Sequence, residues 1–356
     1  MFKCIPILAL SFLLANSIFA QEILTKAQAV QITLENNFNI KAAKNDIEIA
    51  KNNTSKSLNG FLPTVNATAG LNSRLGGSRQ QFSNGNENIT SNAFNWGNNA
   101  AIQANYTLMD KSRGLVVQQL EEIANLTDIQ LRQTIENNLL TVFNTYYEIA
   151  RLAQNANVLT QTIELSKKRL ERAQYQYDYG QGIRLNVLNA EVDIQRDSIN
   201  LLNLNNQIAN AKRDLNVAIG RPTNTDFIVD TLVTYKENLR LEQLIEAAKN
   251  NNILVQMTNQ NLAISALDFD IIEASKKPII DANASYTFTF SDNAAGSFID
   301  VSNTRGLAAG LTLSWSLYDG GRRKLQNQNA KLNVETQLIQ KEQIQQQLER
   351  DVINAW

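Results

Sequence analysis

The chain has 356 residues, a formal net charge of -1 and 19% charged residues, and it contains no histidine. A chain so close to neutral lacks the basic excess typical of nucleic-acid binding, and it also lacks the commonest general base and metal ligand. The composition therefore disfavours an enzyme, and no catalytic residue, cofactor-binding residue or metal ligand is predicted.

The first twenty residues, 1–20, predict a secretory signal peptide, because a lysine near the start precedes an apolar run at 5–19. A membrane-spanning helix is the weaker alternative, since the run is shorter than roughly 20 residues and contains Pro6 and Asn16. The sole cysteine, Cys4, lies in this segment, so we expect the mature chain to have no disulfide or cysteine metal site.

Three pairs of similar segments indicate two tandem copies of one unit. In the first pair, Asn36 and Asn37 match Asn250 and Asn251. The paired segments are LENNFNI (34–40) with AKNNNIL (248–254), LPTVNATA (62–69) with KPIIDANA (277–284), and YTLMDKSR (106–113) with WSLYDGGR (315–322). We predict a first repeat at 21–220, a linker at 221–238 and a second repeat at 239–356.

Each repeat is predicted to begin with a helix that ends near Pro63 or Pro278 and is followed by two strands in which apolar and polar residues alternate. The predicted strands cover about 61–75, 98–109, 279–291 and 306–318. Strands of about ten residues with one apolar and one polar face are typical of a membrane barrel with a wet interior, and a soluble sandwich is the alternative. Four strands are too few to close a barrel, so several copies of the chain must contribute.

A long helical hairpin is predicted at 111–219, because apolar residues there follow a heptad pattern on both sides of a break near 180–186. At about 1.5 Å per residue, the outgoing helix would be roughly 100 Å long. A second long helix is predicted from 320, with Asp110 and Asp319 as N-caps of the two helices. The basic cluster beside these caps fits either lipid phosphates at a barrel rim or a solvated helix start. Its members are Lys111, Arg113, Arg322 and Arg323.

The signal peptide, the duplicated order of helix, two strands and long helix, the FLP and YDGGR boundaries, and the turn YGQGIRLNVLNAEVDI together resemble the TolC-like outer-membrane efflux proteins (outer-membrane factors). The resemblance implies an α+β membrane protein that forms a homotrimer. Four β-strands per chain would contribute to a shared 12-stranded β-barrel in the bacterial outer membrane. Long antiparallel coiled-coil helices would continue it as a periplasmic tunnel.

The resemblance also implies a function without catalysis. The chain would be the exit duct of a tripartite efflux or type I secretion system, a passive path for small molecules or polypeptides. An inner-membrane transporter would drive export through a periplasmic adaptor (membrane fusion) protein. The alternative is a trimeric coiled-coil surface scaffold or adhesin without a conducting pore.

The turn is the site at which the resemblance places the adaptor contact, although Leu185 and Asn186 differ from the Thr-Asp usual in the family. In the alternative interpretation, the glycines only allow the chain to reverse. The implied contact residues are Gly180, Gly182, Ile183, Leu185, Asn186, Val187, Leu188 and Ala190. A network that holds the closed state is expected from Tyr175, Tyr177, Asp178 and Arg184.

The second repeat is shorter than the first when VFNTY (142–146) is superposed on VINAW (352–356). Its long helix then stops before the turn and return that family members have. We therefore expect a fragment or a truncated gene product, and the gate residues and the exported substrate are not assigned.

Overall fold

A computed structural model describes residues 23–231, 239–293 and 299–356. The predicted signal peptide at 1–20 lies outside the described residues, as does the part of the predicted linker at 232–238. The fold is mixed α/β and mostly helical, and the order helix, helix, strand, strand, helix occurs twice. The elements are β1 (Ile23–Leu24), α1 (Lys26–Asn36), α2 (Phe38–Asn53), β2 (Thr64–Gln81), β3 (Glu87–Met109), α3 (Lys111–Asp178), α4 (Arg184–Ile219), β4 (Ile228–Val229), α5 (Leu241–Asn251), α6 (Ile253–Ala274), β5 (Ile279–Asp292), β6 (Val301–Ser314) and α7 (Arg322–Ala355).

The chain divides into two units, and the first consists of residues 1–43 and 133–237. In its described part, β1 pairs with β4 in parallel, with Leu24 opposite Val229. A buried cluster joins this small sheet to the helices. It consists of Leu24, Ala29, Val142, Tyr146, Ile149, Ala150, Leu215, Ile219, Phe227 and Val229.

An asparagine separates the two helices that open each repeat. Asn37 precedes α2, and its side-chain oxygen accepts a hydrogen bond of 3.0 Å from the backbone N–H of Ile40. Asn252 precedes α6 and accepts one of 2.8 Å from the N–H of Leu254. Asn37 therefore corresponds to Asn252, one residue beyond the predicted match, because the second repeat has three successive asparagines and only the last is the N-cap.

The second unit, residues 44–132 and 238–356, contains a four-stranded sheet in the order β2-β3-β5-β6, and every pairing in it is antiparallel. Ala104 of β3 lies opposite Val65 of β2 and Ala284 of β5, and Ala284 lies opposite Ala309 of β6. The odd residues of β2 and β6 therefore share a face with the even residues of β3 and β5 at this level.

The strands differ from the predicted bounds 61–75, 98–109 and 306–318, and β5 differs from 279–291 by one residue. The first hairpin continues well past its apolar part, because backbone pairing in an antiparallel ladder does not require apolar side chains. β6 ends at Ser314 rather than at 318. The chain leaves the ladder there, and the indole N–H of Trp315 donates to the carbonyl oxygen of Lys276 at 3.0 Å.

The start of the last helix was also placed wrongly, since α7 begins at Arg322 and not at 320. Gly320 and Gly321 have φ angles of 71° and 87°, which keep them outside the helix. Asp319 lies before the cap and accepts from the backbone N–H groups of Gly321 and Arg323, each at 3.1 Å. Asp110 directly precedes α3, as predicted, and accepts from the N–H of Ser112 at 2.9 Å.

Candidate functional site

The sheet has an apolar face, and most of its large side chains are exposed. Leu71 and Leu307 are each 78% exposed, Leu311 is 72% exposed and Val65 is 66% exposed. An apolar surface of this extent marks contact with a partner or a lipid phase. The apolar face consists of Val65, Ala67, Ala69, Leu71, Ala100, Ile102, Ala104, Tyr106, Leu108, Ile280, Ala282, Ala284, Tyr286, Phe288, Phe290, Leu307, Ala309, Leu311 and Leu313.

Aromatic residues gather toward the hairpin-loop end of this face. The rings of Trp96 and Phe290 lie 5.2 Å apart, and the Trp96 indole N–H donates to the carboxylate of Asp292 at 3.1 Å. Tyr286 and Phe288 follow on the same face of β5. Membrane barrels have such aromatic girdles where the hydrocarbon layer meets the head groups.

The opposite, polar face is rich in asparagine, threonine and serine. Between Thr64 and Gly76 on β2 and along the facing parts of the other three strands, its only charged residues are Arg74 and Asp281. Asp281 accepts a hydrogen bond of 2.6 Å from the hydroxyl of Thr107. A face of this composition suits contact with water.

Both outer strands of the sheet, β2 and β6, have one edge without a partner in the described chain. Such edges carry a row of backbone donors and acceptors that can pair with another chain. Because four strands alternate in direction, β6 of one copy would meet β2 of the next copy in antiparallel orientation.

The predicted basic cluster divides into two kinds of residue. Arg113 is held by its own chain, since it donates to the carbonyl oxygen of Thr107 at 3.1 Å and lies over the Phe61 ring at 5.2 Å. Lys111 and Arg322 are exposed, and no partner for them occurs in the described ranges. Of the four cluster residues, only these two have side chains that the described chain leaves unpaired.

Arg323, the fourth member of the cluster, is also held within its chain. It forms an ion pair of 2.8 Å with Asp319 and donates to the carbonyl oxygen of Ser316 at 2.6 Å. Hydrogen bonding from Arg323 holds the pKa of Asp319 below its ordinary value. Arg323 thus closes the turn between β6 and α7.

The hairpin tip has the hydrogen bonds of a Schellman motif at the end of α3. The N–H of Gly180 donates to the carbonyl oxygen of Tyr177 at 3.0 Å, and that of Gln181 donates to Gln176 at 2.8 Å. Gly180 has a φ angle of 70°, and a Cβ on Gly182 would lie 3.2 Å from the Cβ of Gln176. The turn itself therefore explains both glycines.

Apolar side chains around the tip are exposed. Ile183 is 61%, Leu185 57% and Leu188 45% exposed, whereas Val187 is 6% exposed. Asn186 is exposed and Ala190 is half-buried. The interior position of Val187 removes it from the surface that a partner could contact, and the three larger apolar side chains form that surface.

The residues of the expected closed-state network do not bond to one another within the described chain. Tyr175 and Tyr177 are 57% and 42% exposed. Asp178 accepts from the side-chain amide of Gln174 at 2.8 Å, and Arg184 is exposed. The described part of one chain therefore does not itself assemble the expected network.

A buried hydrogen-bonding centre in the first unit was missed by the sequence analysis. The hydroxyl of Tyr146 donates to the carbonyl oxygen of Leu24 at 2.8 Å and accepts from the N–H of Asp230 at 3.0 Å. Burial is the main cause that raises the pKa of Tyr146. The heptad pattern marks Tyr146 as a core residue, but no local signal identifies its two distant backbone partners.

No helix in the described ranges is both long and apolar enough to cross a membrane. Within the same ranges, no group of three or more acidic side chains is arranged to hold a metal ion.

Comparisons with known proteins agree with the sequence resemblance. The sequence model of the family described as outer membrane efflux protein matches residues 29–221, which is more than half of the chain. A comparison with curated protein sequences gives no significant match.

Solved structures of bacterial membrane proteins have the same fold. A membrane protein from Pseudomonas aeruginosa superposes with a TM-score of 0.69 at 16% identity, over 93% of this chain and 73% of that one. VceC, an outer membrane protein from Vibrio cholerae, gives 0.64 at 14% identity, over 90% and 75%. The CmeC outer membrane channel of Campylobacter jejuni gives 0.66 at 12% identity, over 89% and 67%.

Proposed function

Because the chain belongs to the outer membrane efflux protein family, we propose that it is the outer-membrane exit duct of a tripartite efflux or type I secretion system. It carries small molecules or polypeptides passively out of the periplasm. An inner-membrane transporter supplies the energy, and a periplasmic adaptor protein joins the two. The observation that supports this proposal best is the sheet with one exposed apolar face and one polar face.

The proposed duct is a homotrimer. Four strands close no barrel alone, but three copies supply twelve strands, and the free edges of β2 and β6 suit pairing between neighbouring copies. A closed ring of this kind leaves no edge unpaired, as a membrane barrel requires.

The apolar face is then turned to outer-membrane lipid, and the polar face lines the pore. Leu71, Leu307 and Leu311 pass from water into hydrocarbon, which offsets the cost of their exposure in a single chain. The neutral side chains of the polar face form hydrogen bonds with water and with a passing solute, and they do not react with it. Selection among solutes therefore depends on the width and charge of the aperture.

The two long helices α3 and α4 form part of the tunnel wall in the periplasm. Their tip presents Ile183, Leu185 and Leu188 as an apolar surface for the helical hairpins of the adaptor. Tyr175, Tyr177, Asp178 and Arg184 contact neighbouring subunits at the same level when the tunnel is closed.

Planar-bilayer recording of the purified full chain tests this proposal. A duct gives discrete current steps, and mass determination in detergent gives three copies per particle. A coiled-coil scaffold or adhesin without a pore gives no current even as a trimer. A sample purified in the same way from cells that lack the gene controls for contaminating porins.

A further inference from the structure

One charged residue on the apolar side of the sheet has no side-chain partner among the described residues. Arg305 lies on β6, opposite Phe288 of β5, and it is exposed. It shares the face of Leu307, from which every second residue up to Leu313 is apolar. The side chain of Arg305 makes neither a hydrogen bond nor an ion pair within the described ranges of the chain.

Three other charged side chains near the hairpin loops have partners. Arg79 and Glu87 form an ion pair of 2.7 Å, and Asp292 accepts from the indole N–H of Trp96 at 3.1 Å. Arg305 differs from them, because it lies on the apolar face where the described residues offer its side chain no acceptor.

The level of Arg305 along the strand agrees with a head-group contact. It is the fifth residue of β6, counted from the hairpin loop at Val301, whereas Ser314 ends the strand on the side of the helices. An arginine on the lipid face of a barrel is strongly destabilising at the midplane but costs little near the interface. Phe288 lies opposite Arg305, with Tyr286 and Phe290 two residues to either side on the same face, and an aromatic girdle of this kind marks that interface.

We propose that Arg305 binds the phosphate of an anionic lipid head group in the outer leaflet. A guanidinium group presents parallel N–H donors that match two oxygens of a phosphate, and apolar neighbours exclude the water that would compete. The acyl chains of the same lipid lie along Leu307 and Leu311. This inference rests on the proposed function, since it requires the apolar face to be turned to the membrane.

The test uses the full chain as a purified trimer, with diphosphorylated lipid A as the probe and native mass spectrometry to count bound lipids. Arg305→Gln is expected to bind the lipid about tenfold more weakly, because it removes a charge-assisted hydrogen-bonding pair. Arg74→Gln, which removes the same charge from the polar face of the sheet, is the matched control and should bind as the unmodified chain does. Arg305→Lys keeps the charge but lacks the parallel N–H donors of the guanidinium group, and it should bind lipid A with intermediate affinity.

Several results would overturn the inference. Equal lipid A binding by Arg305→Gln and the unmodified chain would show that Arg305 does not bind this lipid. If Arg305→Gln weakens the binding of zwitterionic phosphatidylcholine as much as that of lipid A, Arg305 does not recognise an anionic head group. Displacement of the lipid by millimolar inorganic phosphate would assign the site to a free ion, and dissociation of the Arg305→Gln trimer would assign Arg305 to the contact between subunits.

Bilayer recordings separate this inference from the proposed function. Unchanged lipid binding by an Arg305→Gln trimer that conducts normally would overturn the lipid site alone. Absence of current from the unmodified chain would instead overturn the duct, and the orientation of the apolar face with it.

Discussion

The hydroxyl of Tyr146 donates a hydrogen bond of 2.8 Å to the carbonyl oxygen of Leu24, although 122 residues separate them in the chain. The same hydroxyl accepts from the N–H of Asp230 at 3.0 Å. One side chain of α3 thus binds the backbone of β1 at Leu24 and the backbone of Asp230, the residue that follows β4 in the same small parallel sheet. Since Tyr146 is fully buried, water cannot replace either bond.

Tyr146→Phe should loosen this sheet without altering the packing of the ring. The substitution leaves the carbonyl of Leu24 and the N–H of Asp230 without their partner, which costs about 1–3 kcal/mol. Hydrogen exchange should become faster at 23–24 and 228–230, and exchange in the four-stranded sheet should be unchanged. Unaltered exchange at these two strands would show that the hydroxyl does not hold them.

The stability of the first unit should also depend on alkaline pH through Tyr146. Burial raises the pKa of this phenol above its ordinary value, so the folded state binds the proton more tightly than the unfolded state. Its contribution is complete below about pH 10, the ordinary tyrosine pKa, and is lost as the pH rises through the folded pKa. From pH 8 to 11, the difference in thermal unfolding temperature between the unmodified chain and Tyr146→Phe should become smaller. A difference that stays constant would contradict this.

Two glycines with similar backbone angles should respond differently to alanine. Gly180 and Gly220 have φ angles of 70° and 75°, so alanine is strained at either position by about 1 kcal/mol. A Cβ on Gly220 would also lie 2.5 Å from the carbonyl oxygen of Asn36, whereas Gly180 has open space around it. Gly220→Ala should therefore cost roughly 2–4 kcal/mol in thermal unfolding. Equal losses for the two variants would mean that Asn36 moves aside freely.

The sequence predicts features that depend on neighbouring residues better than those that depend on distant ones. Pro63 and Pro278 each stand directly before a strand, and the break at Gly180 separates α3 from α4. These are local signals, because proline and glycine restrict or release the backbone where they stand. Gly220 directly follows the predicted hairpin at 111–219, but its closeness to Asn36 exists only in the folded chain.

Bounds were predicted poorly where backbone pairing continues without apolar side chains. The hairpin extends to Gln81 and Glu87 through residues that show no alternation, and a bulge near Gly76 shifts the register. At the other sheet edge, Trp315 continues the apolar alternation but binds Lys276 outside the ladder. Side-chain pattern predicts faces, whereas backbone hydrogen bonds decide where a strand ends.

The ion selectivity of the proposed pore should depend on Asp281. It is the one acidic residue among the polar-face positions described above, and a trimer would place three copies at one level of the pore. Asp281→Asn should reduce the preference for cations, measured as a smaller reversal potential in a potassium chloride gradient. Asp292→Asn removes the same charge from the apolar side and should leave the reversal potential unchanged, while equal shifts in both variants would place neither residue specifically in the pore.

Charges at the exposed apolar residues of the tip should uncouple export while the duct itself stays intact. Leu185→Asp with Leu188→Asp replaces two exposed leucines of α4 that are 57% and 45% exposed in one chain, so folding should tolerate both. At an adaptor interface the loss of two central apolar contacts costs 2 kcal/mol or more, which is roughly a 30-fold weaker complex. Trimer mass and bilayer conductance should be unchanged, while cells that carry the variant should lose export. Gln195→Asp adds a charge at an exposed polar position of the same helix and should preserve export. Normal export by the double variant would show that the tip only reverses the direction of the chain and does not contact the adaptor through these leucines.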